Sequence, residues 1–241
     1  MILQENEQPV SYLKAKEYQA KLDAIRKEQQ HALALRQENN RKYAEKTTAK
    51  LIALYKASIA EEAEKKAEAL RKNAIYVPKE AEFFLVVRIR GVNNVPPKER
   101  KIMELFRLNK QYSAVFVRNN KSIKQMLQKV RNYVAWGTID IHLLRELIYK
   151  RGSCKINGKH ANITSEVIED AFDGELRCME ELVYHIYYGT PFFKAVNRFL
   201  WPFALQCPRG GFKGRKAKDF VMGGSTGNHY ELIGELVKRM I

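Results

Sequence analysis

The chain has 241 residues, 45% of them hydrophobic, and carries 43 Lys and Arg against 27 Asp and Glu, a formal charge of +16. That length and apolar content exclude disorder throughout, and the cation excess is the electrostatic footprint of a phosphate-backbone binder, without choosing between DNA and RNA. The longest purely apolar run, residues 83–87, is far below the roughly 20 that span a bilayer, the first residues lack a secretory-signal pattern, and three cysteines without a CxxC pair signal neither disulfides nor zinc, so the expectation is a soluble intracellular chain without a cofactor.

No glycine precedes Gly91 and no proline lies between Pro9 and Pro78, in a stretch rich in Ala, Lys, Glu and Gln. Residues 1–78 therefore read as a helical N-terminal extension, one long helix or a few abutting ones, of which roughly 60 residues would reach on the order of 90 Å. Its apolar positions hold no heptad register, which argues against a self-paired coiled coil and offers no apolar stripe for packing on a domain. The extension holds 15 basic and 11 acidic side chains against 28 and 16 in residues 79–241, so most of the excess charge lies in the remainder.

Residues 83–90 read as a buried strand closed by Gly91. Pro96 and Pro97 mark a helix start, with Ile102, Met103, Leu105, Phe106 and Leu108 as its apolar face. A strand at 114–117, a helix over Ile123, Met126, Leu127, Val130 and Tyr133 with a capping box at Ser122 and Gln125, and a strand at 134–136 follow. The result is a β-α-β-α-β core at 79–137, an α+β unit with a three-stranded sheet and two helices on one face. Residues 138–241 read as a mainly helical C-terminal region, with helices near 141–149, 165–172, 179–188, 192–200 and 230–240 and a turn at Asn157-Gly158.

Within that region, the apolar block Phe199-Leu200-Trp201-Pro202-Phe203 feeds a basic glycine-rich arm at 208–218. The arm holds five cations, Arg209, Lys213, Arg215, Lys216 and Lys218, three glycines and no carboxylate. It reads as a polyanion-binding loop with main-chain N–H groups free for phosphate, against the blander reading of a solvated charged loop.

These blocks resemble the eukaryotic large-subunit ribosomal protein seven family, the counterpart of bacterial and archaeal ribosomal protein thirty. The resemblance is carried in order by Val87-Arg88-Ile89-Arg90-Gly91-Val92-Asn93, Pro96-Pro97-Lys98-Glu99-Arg100-Lys101, Leu105-Phe106-Arg107-Leu108, Glu146-Leu147-Ile148-Tyr149-Lys150-Arg151-Gly152, Lys155-Ile156-Asn157, Asn197-Arg198-Phe199-Leu200-Trp201-Pro202-Phe203, Pro208-Arg209-Gly210-Gly211 and Gly223-Gly224-Ser225-Thr226-Gly227-Asn228. It implies a ferredoxin-like core with a three-stranded antiparallel sheet, and a structural, RNA-binding, non-catalytic role in the large subunit of a cytosolic eukaryotic-type ribosome. Nucleolar assembly, ribosomal RNA and neighbouring ribosomal proteins as partners, and neither membrane attachment nor self-association go with it. Members usually carry a strongly basic N-terminal helix laid on RNA, whereas the extension here is nearly charge-balanced. An RNA-binding or regulatory role outside the ribosome is the alternative.

Arg88 and Arg90 share a strand face by the period-2 rule and read as a cationic edge, with Ile89 turned toward the two helices. Lys98, Arg100 and Lys101 flank the positive end of a helix. Arg107, Lys110, Lys150 and Arg151, in or beside the matching blocks, complete the RNA-binding set with the arm. Phe212 either stacks on a base or tucks back onto the protein, while Trp136, Trp201 and Phe203 read as internal anchors. Catalysis has little support: the arm lacks phosphate-loop spacing, and the five histidines show neither HExxH nor a neighbouring cysteine.

Overall fold

The computed structural model describes residues 10–156 and 158–241, so the first nine residues and Asn157, half of the expected turn, lie outside the described set. Helix α1 (Val10–Arg71) is a single helix of 62 residues, about 93 Å long. It stops where Asn73 turns left-handed at φ 50° and the Ala74 N–H reaches the Ala69 carbonyl at 2.8 Å, an asparagine in a position usually given to glycine.

The core follows as β1 (Phe83–Arg88), α2 (Pro97–Leu105), β2 (Ser113–Arg118), α3 (Lys121–Lys129) and β3 (Val134–Gly137). Beyond it come α4 (Ile141–Arg151), the hairpin β4 (Cys154–Ile156) and β5 (Lys159–Ala161), α5 (Ser165–Ala171), α6 (Met179–Tyr187), α7 (Phe193–Phe199), β6 (Phe203–Ala204), β7 (Gly227–Tyr230) and α8 (Ile233–Lys238). Central β1 is antiparallel to β2, with Leu85 opposite Phe116, and to β3, with Val86 opposite Trp136.

The expected sheet of three strands is corrected to five, in the order β6-β2-β1-β3-β7. Short β6 extends the sheet antiparallel to β2, and β7 runs parallel to β3 on the other edge. The first strand also ends at Arg88 instead of Arg90, and α3 is entered through Asn120, with no side-chain cap and no use of Ser122 and Gln125 as a capping box.

Alternation along the strands sends side chains into two cores. Val86, Val115, Val134 and Trp136 pack under α2 and α3 with Met103, Phe106, Leu127 and Val130. Leu85, Val87, Phe116 and Ala135 pack on the opposite face against α4, α6, α7 and α8. Helices therefore cover both faces, and Ile89 belongs to the second core, not to the α2 and α3 side.

Among the described residues, helix α1 docks through its middle. The residues it turns inward, Arg36, Asn40, Tyr43, Thr47, Leu51, Tyr55 and Ser58, recur every three or four positions and are mostly polar. Arg36 Nε donates to Glu169 at 2.8 Å, Tyr43 Oη to Glu181 at 2.8 Å, and Ser58 Oγ lies 3.1 Å from Tyr188 Oη. The Tyr55 ring meets Tyr187 edge-on at 6.4 Å. Among the described residues no helix is long and apolar enough to cross a membrane.

Candidate nucleic-acid interface

The cations of the expected RNA-binding set divide into those held inside and those left outside. Arg88, placed by alternation beneath α2, is 3% exposed. Its guanidinium donates to the carbonyls of Leu108 at 2.7 Å, Gly91 at 2.8 Å and Arg90 at 3.1 Å. Arg107 is committed in the same way, to Leu200 O at 3.0 Å and Asn197 O at 2.8 Å, and so ties the end of α2 to the end of α7. Burial lowers both guanidinium pKa values, yet arginine stays charged at any physiological pH. The cationic edge of Arg88 and Arg90 is thus corrected: Arg88 is an internal brace, and Arg90 lies over the Tyr133 ring at 5.1 Å.

Around α2, Lys98 and Arg100 are exposed, whereas Lys101 pairs with Glu104 at 3.8 Å. Glu99 brings a carboxylate into the first turn of the helix, where the positive dipole end already favours it. On α4, Lys150 pairs with Glu146, and Arg151 donates to the Ile241 main-chain oxygen at 2.5 Å.

The glycine-rich arm is folded against the protein. Its first turn closes through Gly211 N–H on Pro208 O at 2.9 Å, and Arg239, just after α8, donates to Gly211 O at 3.1 Å. A second glycine cluster, residues 223–227, lies against it: a Cβ on Gly214 would sit 2.2 Å from Gly223 O, and one on Gly224 1.8 Å from Lys218 O. These two glycines serve close backbone approach, while within the arm the N–H groups of Arg209, Gly211 and Lys218 are taken up by main-chain carbonyls.

Phe212 also turns inward, stacking on Tyr112 at 6.3 Å and 25°. Lys216 caps the pair, 4.8 Å from the Phe212 centroid and 3.2 Å from Tyr112 Oη, while Lys213 reaches Glu235 at 3.5 Å. Phe212 thus follows the second of its two readings, tucked back onto the protein with its ring half-buried. Arg209, Arg215 and Lys218 remain exposed, and among the described residues no carboxylate pairs with them.

At the β6 edge the fold assembles a grouping that residue-by-residue reading missed. Main-chain bonds from Trp201 N to Ser153 O at 2.9 Å and from Leu205 N to Tyr112 O at 3.1 Å bring the β4–β5 hairpin, the start of β2 and the segment after α7 around one cleft of about 620 Å³. Lys110, Lys155, His160, Arg198 and Trp201 line it. Trp201 is half-buried with its ring against His160 at 5.8 Å, whereas Trp136 and Phe203 are core residues at 5% and 1% exposure. Lys155 and Arg198 stood in the matching blocks, but no local pattern joined them to Lys110.

Reactive chemistry finds little purchase on the buried thiols: burial raises the pKa of Cys154 and pushes that of Cys178 up to about 12.

Comparison with known proteins sets this geometry in a family. Residues 84–134, from β1 to the start of β3, match the model of ribosomal protein L30p/L7e. Over 236 residues, 98% of each chain, the sequence is 51% identical to the large ribosomal subunit protein uL30 of Encephalitozoon cuniculi. The chain belongs to the L30p/L7e family of ribosomal proteins. Other L30p/L7e relatives include uL30A of Paramecium tetraurelia, 38% identical over 240 residues and covering 98% and 96% of the two chains. Another is uL30B of Schizosaccharomyces pombe, 42% identical over 191 residues, 78% and 76% of the chains. The longer L30p/L7e alignments run through α1 as well as the core.

Proposed function

We propose that this L30p/L7e member is a structural constituent of the large subunit of a cytosolic ribosome, where it binds and braces ribosomal RNA. The observation that carries the reading is 51% identity along 98% of both chains to a protein named for the large ribosomal subunit. The physical support is the distribution of cations: Lys98, Arg100, Lys110, Lys155, Arg198, Arg209, Arg215 and Lys218 are exposed, and among the described residues none is paired with a carboxylate.

Lys and Arg on folded RNA neutralise phosphate without reading sequence, because the A-form major groove is too narrow for side chains. Its partners are then ribosomal RNA and adjacent ribosomal proteins, with nucleolar assembly, no membrane attachment and no self-association. The role is architectural and not enzymatic.

Sedimentation tests this reading. The chain should be recovered in equimolar amount with large subunits after a high-salt wash. Recovery only with other RNA at the top of the gradient would replace it with a role outside the ribosome.

A further inference from the structure

The cleft beside β6 is chemically one-sided. Lys110, Lys155, Arg198 and His160 line it together with Trp201 and Phe203, and no Asp or Glu does. Its volume of about 620 Å³ lies within the range of roughly 300–1,000 Å³ typical of small-ligand sites. Phe203 sinks into the core, whereas Trp201, two residues away, stays half-buried at the cleft wall.

The backbone that carries the indole is held before any ligand arrives. The Trp201 main-chain N–H donates to Ser153 O at 2.9 Å, Leu200 bridges to Cys154, and Arg107 holds the Leu200 carbonyl at 3.0 Å. The His160 ring stands at 81° to it, so the pair offers two π surfaces at right angles. A preformed aromatic wall ringed by cations without a balancing carboxylate suits a planar ligand that carries phosphates.

We propose that this cleft accepts one unstacked nucleotide of single-stranded RNA, its base against Trp201 and its flanking phosphates on Lys110, Lys155 and Arg198. The proposal rests on the RNA-binding reading and deepens it from phosphate neutralisation to capture of a base. Paired bases are excluded, since a duplex keeps its π faces stacked within the helix.

The test uses the purified full-length chain and two fluorescent probes, a single-stranded adenosine ribodecamer and the same ribose-phosphate decamer without bases. The wild type should hold the base-bearing probe roughly five- to 150-fold more tightly, the worth of one base–aromatic stack. Trp201→Leu, which keeps apolar bulk but no large π face, should erase that preference, and Trp201→Phe should retain most of it. Lys155→Ala with Arg198→Ala should weaken both probes alike.

Equal binding of the two probes by the wild type would overturn base capture while leaving phosphate binding intact. Persistence of the preference in Trp201→Leu would overturn the assignment to this cleft. Displacement of the decamer by micromolar adenosine monophosphate would make it a free-nucleotide site instead. Binding of neither probe would bring down base capture and the RNA-binding reading together.

Discussion

Replacement of Arg88 separates a folding role from an RNA-binding one. The side chain is 3% exposed, and its three shortest hydrogen bonds, 2.7 to 3.1 Å, all end on main-chain carbonyls. Arg88→Ala removes three bonds from a charged donor, each contributing about 1.5–3 kcal/mol, which together exceed about 4 kcal/mol. The adjoining hollow of about 540 Å³ between the 91–95 loop and α2 admits water to the freed carbonyls, which reduces the expected loss to about 3 kcal/mol. In a chain of this size 1 kcal/mol moves the unfolding midpoint by about 2–4 °C, so a fall of about 6–12 °C is expected. Arg88→Lys keeps the charge but loses the fork and should recover less than half of it. Thermal unfolding followed by circular dichroism measures the fall, and RNA affinity is measured well below the variant's midpoint. An unchanged midpoint with a clear loss of RNA affinity would refute the internal-brace assignment.

Replacing Arg209, Arg215 and Lys218 together by Ala should weaken RNA binding and flatten its dependence on salt while leaving the unfolding midpoint nearly unchanged, because these side chains are exposed and unpaired; a large drop in the midpoint would count against this. Glu181 is buried at 7% exposure and accepts from Tyr43 Oη and from the N–H groups of Arg177 and Cys178, so Glu181→Ala should cost about 2–3 kcal/mol and Tyr43→Phe about 1 kcal/mol. Limited proteolysis should find α1 more easily cut in both variants, and equal resistance to the wild type would argue against docking through Tyr43. Arg36, with help from Asn40, holds the Glu169 carboxyl below its ordinary pKa. A lowered native pKa stabilises docking above the ordinary glutamate value of about 4.3, and the contribution disappears as pH falls through the native value. Hydrogen exchange in residues 10–71 should therefore speed up relative to the core on acidification through that window, and a constant ratio would exclude this clamp.

The legible parts of the fold are those whose apolar period matches their element. β1, β2 and β3 have β-branched and aromatic runs, and α4 to α8 fall close to the stretches marked out by apolar spacing. β6 and β7 escaped for a physical reason: Phe203–Ala204 is too short to show a period, and Gly227-Asn228-His229-Tyr230 has no apolar alternation, so both are strands only because the sheet edges bind them. The docking stripe of α1 has a helical period but is written in Arg, Asn, Tyr, Thr and Ser, and a search for apolar residues passes over it. Alternation correctly sends Arg88 and Ile89 to opposite sides of the sheet. It cannot reveal that both sides are covered, which decides whether an arginine becomes a brace or a surface charge. The candidate interface shows the same limit: Lys110, Lys155, Arg198 and Trp201 meet through pairings between segments far apart in sequence.

The parallel pairing of β3 with β7 bears on the moment at which the protein matures during synthesis. The ribosome releases β1, β2 and β3 first, and that three-stranded piece has two open edges and one apolar face still without α4, α6, α7 and α8. Its edges close only when residues near 203 and 227 emerge, long after β3 itself. Until then the nascent sheet presents unpaired N–H and C=O rows, and before α4, α6 and α7 follow it Leu85, Val87 and Phe116 are bare as well, a surface prone to join other chains. A protein rich in distant pairings of this kind folds late and slowly. Synthesis of β6 and β7 thus converts a sticky intermediate into a closed particle, and a chain that stalls before them is the form most in need of a chaperone.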